Sequence, residues 1–278
     1  MSFLYSGADF TYPLLSQEKA LQLIGLLGFN GVDIALFQDR SHVQPSMIRG
    51  KVENCGKAIK TIADDAGLVV ADVFLQSDLD FSKMAINHPD KSIRDESRRQ
   101  FLETLEYANA CQCCHVTCLP GVTYKNDDAS LSRCQEELTW RVEKAEAVGI
   151  TLGIEAHLGS IIDTPDKAMC LIGSVPKLTL TLDYSHFTKT GIPDARVEPL
   201  VKHASHFHAR AAKPGAIQTV LTENTIDYRR IVKVMQQTRY KGFIGIEYNW
   251  IDWEGCNRTD NVSESILLMK LMKEAETA

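Results

Sequence analysis

Leu26-Leu27-Gly28-Phe29-Asn30-Gly31-Val32-Asp33-Ile34 holds the pattern that decides the fold: an apolar helical stripe stops at a glycine, and a β-rich run begins almost at once. Gly just beyond a helix supplies a left-handed C-terminal turn, and the run after it starts a parallel strand. The same transition recurs at Asp65-Ala66-Gly67-Leu68-Val69-Val70, at Ala147-Val148-Gly149-Ile150-Thr151-Leu152 and at Tyr240-Lys241-Gly242-Phe243-Ile244. Strand-like runs fall near 3–10, 31–37, 68–74, 114–119, 150–156, 178–184, 204–210 and 242–248. Between them lie stretches of helical apolar periodicity, among them 16–27, 46–66, 93–112, 128–147 and 227–239. Eight strands alternating with helices, with no linker dividing the chain, predict an α/β fold of one domain over 1–278, a (β/α)8 TIM barrel. The alternative, an open Rossmann-like sheet, would place G-x-G-x-x-G after its first strand, and that motif is missing here.

Composition narrows the function. A net charge of -6 and a pI near 5.8 give no electrostatic footprint for nucleic acid or an anionic membrane. The N-terminal Met1-Ser2-Phe3-Leu4-Tyr5 is neither basic nor followed by a long apolar run, so a cytoplasmic location is expected. The expected partner is a small molecule, with neither nucleic acid nor membrane; a homo-oligomer is left open. The eight cysteines are unevenly spaced and are expected to be reduced. Cys111-Gln112-Cys113-Cys114-His115 lacks zinc-knuckle spacing and spans a helix end and a strand start, so a structural role is expected for it.

Four ligand-type residues stand at the ends of apolar runs. Glu155 closes Ile150-Thr151-Leu152-Gly153-Ile154, Asp183 closes Leu178-Thr179-Leu180-Thr181-Leu182, His208 follows Ala204-Ser205-His206-Phe207, and Glu247 closes Gly242-Phe243-Ile244-Gly245-Ile246. Ionisable groups are rare on strands buried on both faces unless they pair or bind a cation, and barrel active sites lie at the C-terminal strand ends. A buried ion pair, a helix cap or a core histidine explains each residue singly, but a shared metal ion explains all four together. Three carboxylates and an imidazole suit one divalent cation of hard to borderline character, Mn2+ first, with Mg2+, Co2+ or Zn2+ as alternatives. Those three charges and a divalent ion sum to one net negative charge, which suits a neutral or mildly anionic ligand. Period-two alternation puts Gly153 below Glu155 and His157 above it, Gly245 below Glu247 and Asn249 above it, and His206 below His208 with Arg210 towards the mouth.

The set Glu155, Asp183-Tyr184-Ser185-His186, His208 and Glu247 resembles the Glu, Asp-x-x-His, His and Glu of the xylose isomerase-like barrels, the sugar phosphate isomerase and epimerase superfamily. The resemblance spans the barrel in order. It implies that Glu155, Asp183, His208 and Glu247 bind the metal, that Glu155 and Glu247 are also the catalytic proton carriers, and that His186 faces a substrate oxygen. The implied function is a metal-dependent sugar isomerase or epimerase acting on a keto sugar or polyol derivative through a metal-stabilised enediolate. Arg210, Lys213 and His157 join His186 as candidate substrate-binding residues.

Departures from the epimerase pattern keep a lyase in play, a dehydratase or decarboxylase using the same enediolate. Where the epimerases carry Asn-Arg after the first glutamate, this chain has Leu158 and Gly159, and where they carry an Arg beyond the metal histidine it has Pro214. His157-Leu158-Gly159-Ser160 is closer to the inosose dehydratases. The apurinic-site endonucleases of the same superfamily need further histidines that Val69-Val70-Ala71-Asp72-Val73-Phe74 and the segment after His208 do not supply. The segment 211–226, with Lys213 and Gln218, reads as a substrate loop. Trp250 and Trp253 either wall the pocket or pack a helix. His42, Asp72 and His115 are read as structural.

Overall fold

The computed structural model describes residues 2–277. Eight parallel strands, β1 (Leu4–Ala8), β2 (Gly31–Phe37), β3 (Val69–Gln76), β4 (His115–Cys118), β5 (Thr151–Glu155), β6 (Thr179–Asp183), β7 (Ala204–Ala209) and β8 (Phe243–Ile246), pair in sequence order. β8 returns to β1, so no sheet edge is left open. Each strand matches an expected run to within a few residues. No described helix is long and apolar enough to cross a membrane.

Two helical stretches differ from expectation. The run 46–66 is broken at Gly50 (φ +75°) into Pro45–Ile48 and Val52–Asp65, because the chain reverses there through left-handed backbone. The glycine turn at Gly242 is a different device as well. The helix Tyr228–Thr238 ends on Arg239, itself left-handed, and Gly242 is small because a Cβ there would lie 2.0 Å from the Ser205 carbonyl oxygen.

The main apolar core lies between barrel and helices, where Val32, Ile34 and Leu36 meet Ile24, Ile59 and Ala63. Inside the barrel the packing is divided. Towards the mouth, Phe10, Phe37 and Phe74 form a separate aromatic cluster, with Phe37 5.0 Å from Phe74 and Phe74 5.7 Å from the His208 ring. Below it the floor is polar. Asp72 and His115 pair at 2.6 Å, His115 reaches the Ser205 hydroxyl at 2.7 Å, Thr117 meets Thr181 at 2.6 Å, and Asp33 meets His206 at 3.0 Å. Branched apolar residues usually fill such layers, so this floor is stable only because most of its groups have partners.

The two glycines beneath the carboxylates are therefore occupied ground. A Cβ on Gly153 would lie 2.5 Å from Thr181 Oγ1, and one on Gly245 would lie 2.2 Å from Asp33 Oδ2. Their small size admits the polar floor.

Candidate metal centre

The barrel register sets Asp183 beside His208 and His208 beside Gly245, so the ends of β6, β7 and β8 share one level. Glu155 is the last residue of β5, and Glu247 follows β8 directly. Glu155, Asp183, His208, Arg210 and Glu247 are all at least 96% buried.

His208 is the hub. Its Nδ1 lies 2.8 Å from Glu155 Oε1 and 2.8 Å from Glu247 Oε2. One ring nitrogen donates at most one hydrogen, and Glu247 Oε2 has no hydrogen-bond partner. Two carboxylate oxygens aimed at one nitrogen, one of them unsatisfied in a buried site, are the geometry of donors gathered about a cation. A divalent ion fits this set: Glu155, His208 and Glu247 each offer an atom within 4.8 Å of the others. On the far side of the ring, His208 Nε2 faces Asp33 Oδ2 at 4.0 Å, and Asp33 is anchored by His206.

Asp183 stands beside this trio under a different hold. Its Oδ1 accepts from the Ser185 N–H at 2.7 Å, capping the helix Tyr184–Lys189, and its Oδ2 receives Arg210 Nη2 at 2.5 Å. The helix cap and the inward carboxylate are thus one residue. Arg210 is not at the rim, as parity alone placed it. Its Nε donates to Ser185 Oγ at 2.9 Å, and Nη1 lies 3.3 Å from Glu247 Oε1.

Charge explains the protonation states. Three carboxylates face two cations, Arg210 and a protonated His208, so one carboxylate is in surplus. Glu155, the one that Arg210 does not touch, is pushed by burial up to about 7. Burial opposes ionisation of Glu247 too, but Arg210 and His208 outweigh it and hold that carboxyl below the usual range. Burial likewise disfavours a charged His208, yet Glu247 and Glu155 raise it well above an ordinary imidazole.

Two further imidazoles roof the centre. His186 Nδ1 accepts from the Leu158 N–H at 3.2 Å, which favours the Nε2–H tautomer; Nε2 lies 3.3 Å from Arg210 Nη2, 3.5 Å from Asp183 Oδ2 and 3.6 Å from Glu155 Oε2. Burial, then His157 and Arg210, keep His186 neutral. His157 donates Nδ1–H to the Leu158 carbonyl at 2.9 Å, lies 4.2 Å from the His186 ring and stacks on Trp253 at 5.8 Å; burial lowers it to about 4. Trp253 stacks on His157 while 41% exposed, and Trp250 is 39% exposed.

Other sequence candidates lie elsewhere. Lys213 pairs with Glu223 at 2.6 Å on a partly exposed loop and makes no contact with the cluster among the described residues. Gln218 is a brace: its Nε2 donates to the Asn249 and Cys256 carbonyls at 2.9 and 2.8 Å, and its Oε1 accepts from Asn249 N at 2.7 Å. The segment 211–226 is therefore pinned to the loop after β8, with one 3-10 turn at Leu221–Glu223. Sequence reasoning passed over Asp33 and Arg40. Asp33 shares the inward parity of Ala35 and Phe37, a signal that was available; Arg40 sits in a loop, where no periodicity points to it.

The closed barrel, with titratable groups gathered at its C-terminal strand ends, defines a TIM barrel with a candidate site at its mouth. The chain belongs to the xylose isomerase-like TIM barrel family, whose model matches residues 21–272. No curated protein matches it. Among solved structures it is similar to a D-tagatose 3-epimerase-like protein (18% identity, TM-score 0.78, covering 99% of this chain and 98% of that one). It is also similar to D-psicose 3-epimerase from Clostridium cellulolyticum H10 (14%, 0.78, 98% and 99%) and to the probable 3-DHS dehydratase AsbF from Bacillus anthracis (15%, 0.71, 97% and 98%). At these identities the likeness is one of fold.

Proposed function

We propose that this chain is a divalent-metal-dependent isomerase or epimerase of a keto sugar or polyol derivative, with Glu155, Asp183, His208 and Glu247 as ligands and Mn2+ as the first choice of metal. The observation that carries the reading is the convergence of Glu155 and Glu247, from strands across the barrel, on His208 Nδ1 at 2.8 Å each. When bound, the ion supplies a Lewis acid that polarises a substrate carbonyl and acidifies the neighbouring C–H.

The rest of the chemistry belongs to the chain. A substrate carbon lying between Glu155 and Glu247 has a carboxylate on each face, so one removes the proton and the other returns one to the opposite side of the enediolate. General acid–base transfer of this kind contributes roughly 10²–10⁴-fold. His186 holds its Nε2–H towards the same space and donates to the oxygen that gains charge. Arg210 orients Asp183 and Glu247 and helps keep Glu247 ionised. His157, Trp253 and the aromatic cluster of Phe37 and Phe74 exclude water.

A lyase reading, in which the enediolate expels water or carbon dioxide, is favoured by one feature: Leu158 and Gly159 replace the polar pair, and the Leu158 N–H is spent on orienting His186. The experiment is a deuterium-exchange screen of keto sugars, ketocyclitols and keto sugar acids in D2O with Mn2+, followed by NMR. Deuterium at the carbon next to the carbonyl with the skeleton intact supports the isomerase; loss of water or carbon dioxide supports the lyase. No exchange into any bound compound refutes the enolisation chemistry common to both.

A further inference from the structure

Arg40 is a cation at the mouth of the barrel that no anion pairs with among the described residues. It follows β2 in a tight turn: Asp39 takes left-handed backbone (φ 60°), Arg40 N donates to the Phe37 carbonyl at 3.3 Å, and Ser41 closes the turn on the same carbonyl. This folds the Arg40 side chain back over the barrel, and its guanidinium carbon lies 4.4 Å from the centre of the Phe37 ring. Phe37 is the first ring of the row that runs through Phe74 to His208. The guanidinium is partly buried and makes no ion pair or side-chain hydrogen bond among the described residues. The charges it senses are those of the metal centre, Glu247, Arg210 and Glu155.

The pairings of the centre leave this group over. With a divalent ion in place of the His208 proton, Glu155, Asp183 and Glu247 neutralise the ion and Arg210 together. Lys189 pairs with Glu254 and Lys213 with Glu223, so neither competes for a ligand. Arg40 alone is left without a partner among the described residues, stacked on an aromatic face with its fork of donors free. A desolvated guanidinium without a partner is costly, and its planar fork matches a carboxylate bidentately.

We infer that the substrate is a monoanion, a hydroxy ketone bearing a carboxylate, whose carboxylate docks on Arg40 while its ketone end lies among Glu155, His208 and Glu247. This rests on the proposed metal centre for the ketone end only. It narrows the neutral or mildly anionic ligand that the count of three carboxylates suggested to the anionic one, because Arg40 stands unpaired at the mouth.

The test uses calorimetric binding of 5-keto-D-gluconate, D-fructose and D-fructose 6-phosphate to the full chain, with and without Mn2+, for wild type, Arg40→Ala and Arg40→Lys, with folding checked by circular dichroism. The keto acid is expected to bind tighter than fructose. Arg40→Ala should weaken the keto acid roughly 10–100-fold and leave fructose within about twofold, and Arg40→Lys should keep part of the preference. No keto-acid binding at millimolar concentration, or a preference that survives Arg40→Ala, overturns the inference. So does a stronger preference for the sugar phosphate, which would make this a dianion site. If Mn2+ does not bind, the metal reading falls by itself, and the Arg40-dependent preference in metal-free protein still decides this one.

Discussion

Metal uptake should release protons in a number that the cluster fixes. The perturbation is titration of metal-free protein with Mn2+ at pH 6 and again at pH 8.5. In the metal-free cluster His208 carries a proton between two carboxylates, and Glu155, raised to about 7, is mostly protonated at pH 6. Both must present lone pairs to an ion, so binding expels both protons, about two per ion at pH 6. At pH 8.5 Glu155 is already ionised and only His208 gives one up, so the count falls to about one. The assay is isothermal calorimetry in buffers of different ionisation enthalpy, where the dependence of the observed heat on that enthalpy gives the proton count. A count near zero at both pH values would show that His208 is not a ligand. A count near two at both would show that Glu155 is not the surplus carboxylate.

Three further outcomes follow from the same site. Stability of the metal-free protein should fall as pH rises from about 4.5 to about 7, because the folded pKa of Glu155 lies above its unfolded value and the folded state holds the proton more tightly. The change is at most about 3 kcal/mol, and urea unfolding of Glu155→Gln should lack that slope. Asp33→Asn should weaken Mn2+ binding roughly 10–100-fold in a chelator competition while leaving the melting temperature nearly unchanged, since Asp33 faces the unligated side of His208; unchanged affinity would assign Asp33 to the floor alone. His186→Ala should lower kcat by more than it raises KM, because its Nε2–H is aimed where charge develops, and a pure rise in KM would reassign it to ground-state binding.

The sequence alone determined a good deal here. Helix, glycine and strand follow each other so regularly that all eight strands were legible, and period two told which side chains of each strand face inward. That parity found Glu155, Asp183, His208 and Glu247, because a charged residue ending an apolar run is a local signal. Tertiary structure decided which inward residues meet. Asp33 and His206 share a hydrogen bond across 173 positions, and His208 and Glu155 across 53, distances at which pattern carries no information about partners. Closure and register chose Arg210 as the companion of Asp183 and Glu247, and a turn at Asp39 laid Arg40 over Phe37. The reason is physical: alternation along a strand is fixed by its own backbone, whereas contact across a barrel depends on how eight strands close. Loop side chains such as Arg40 obey no periodicity.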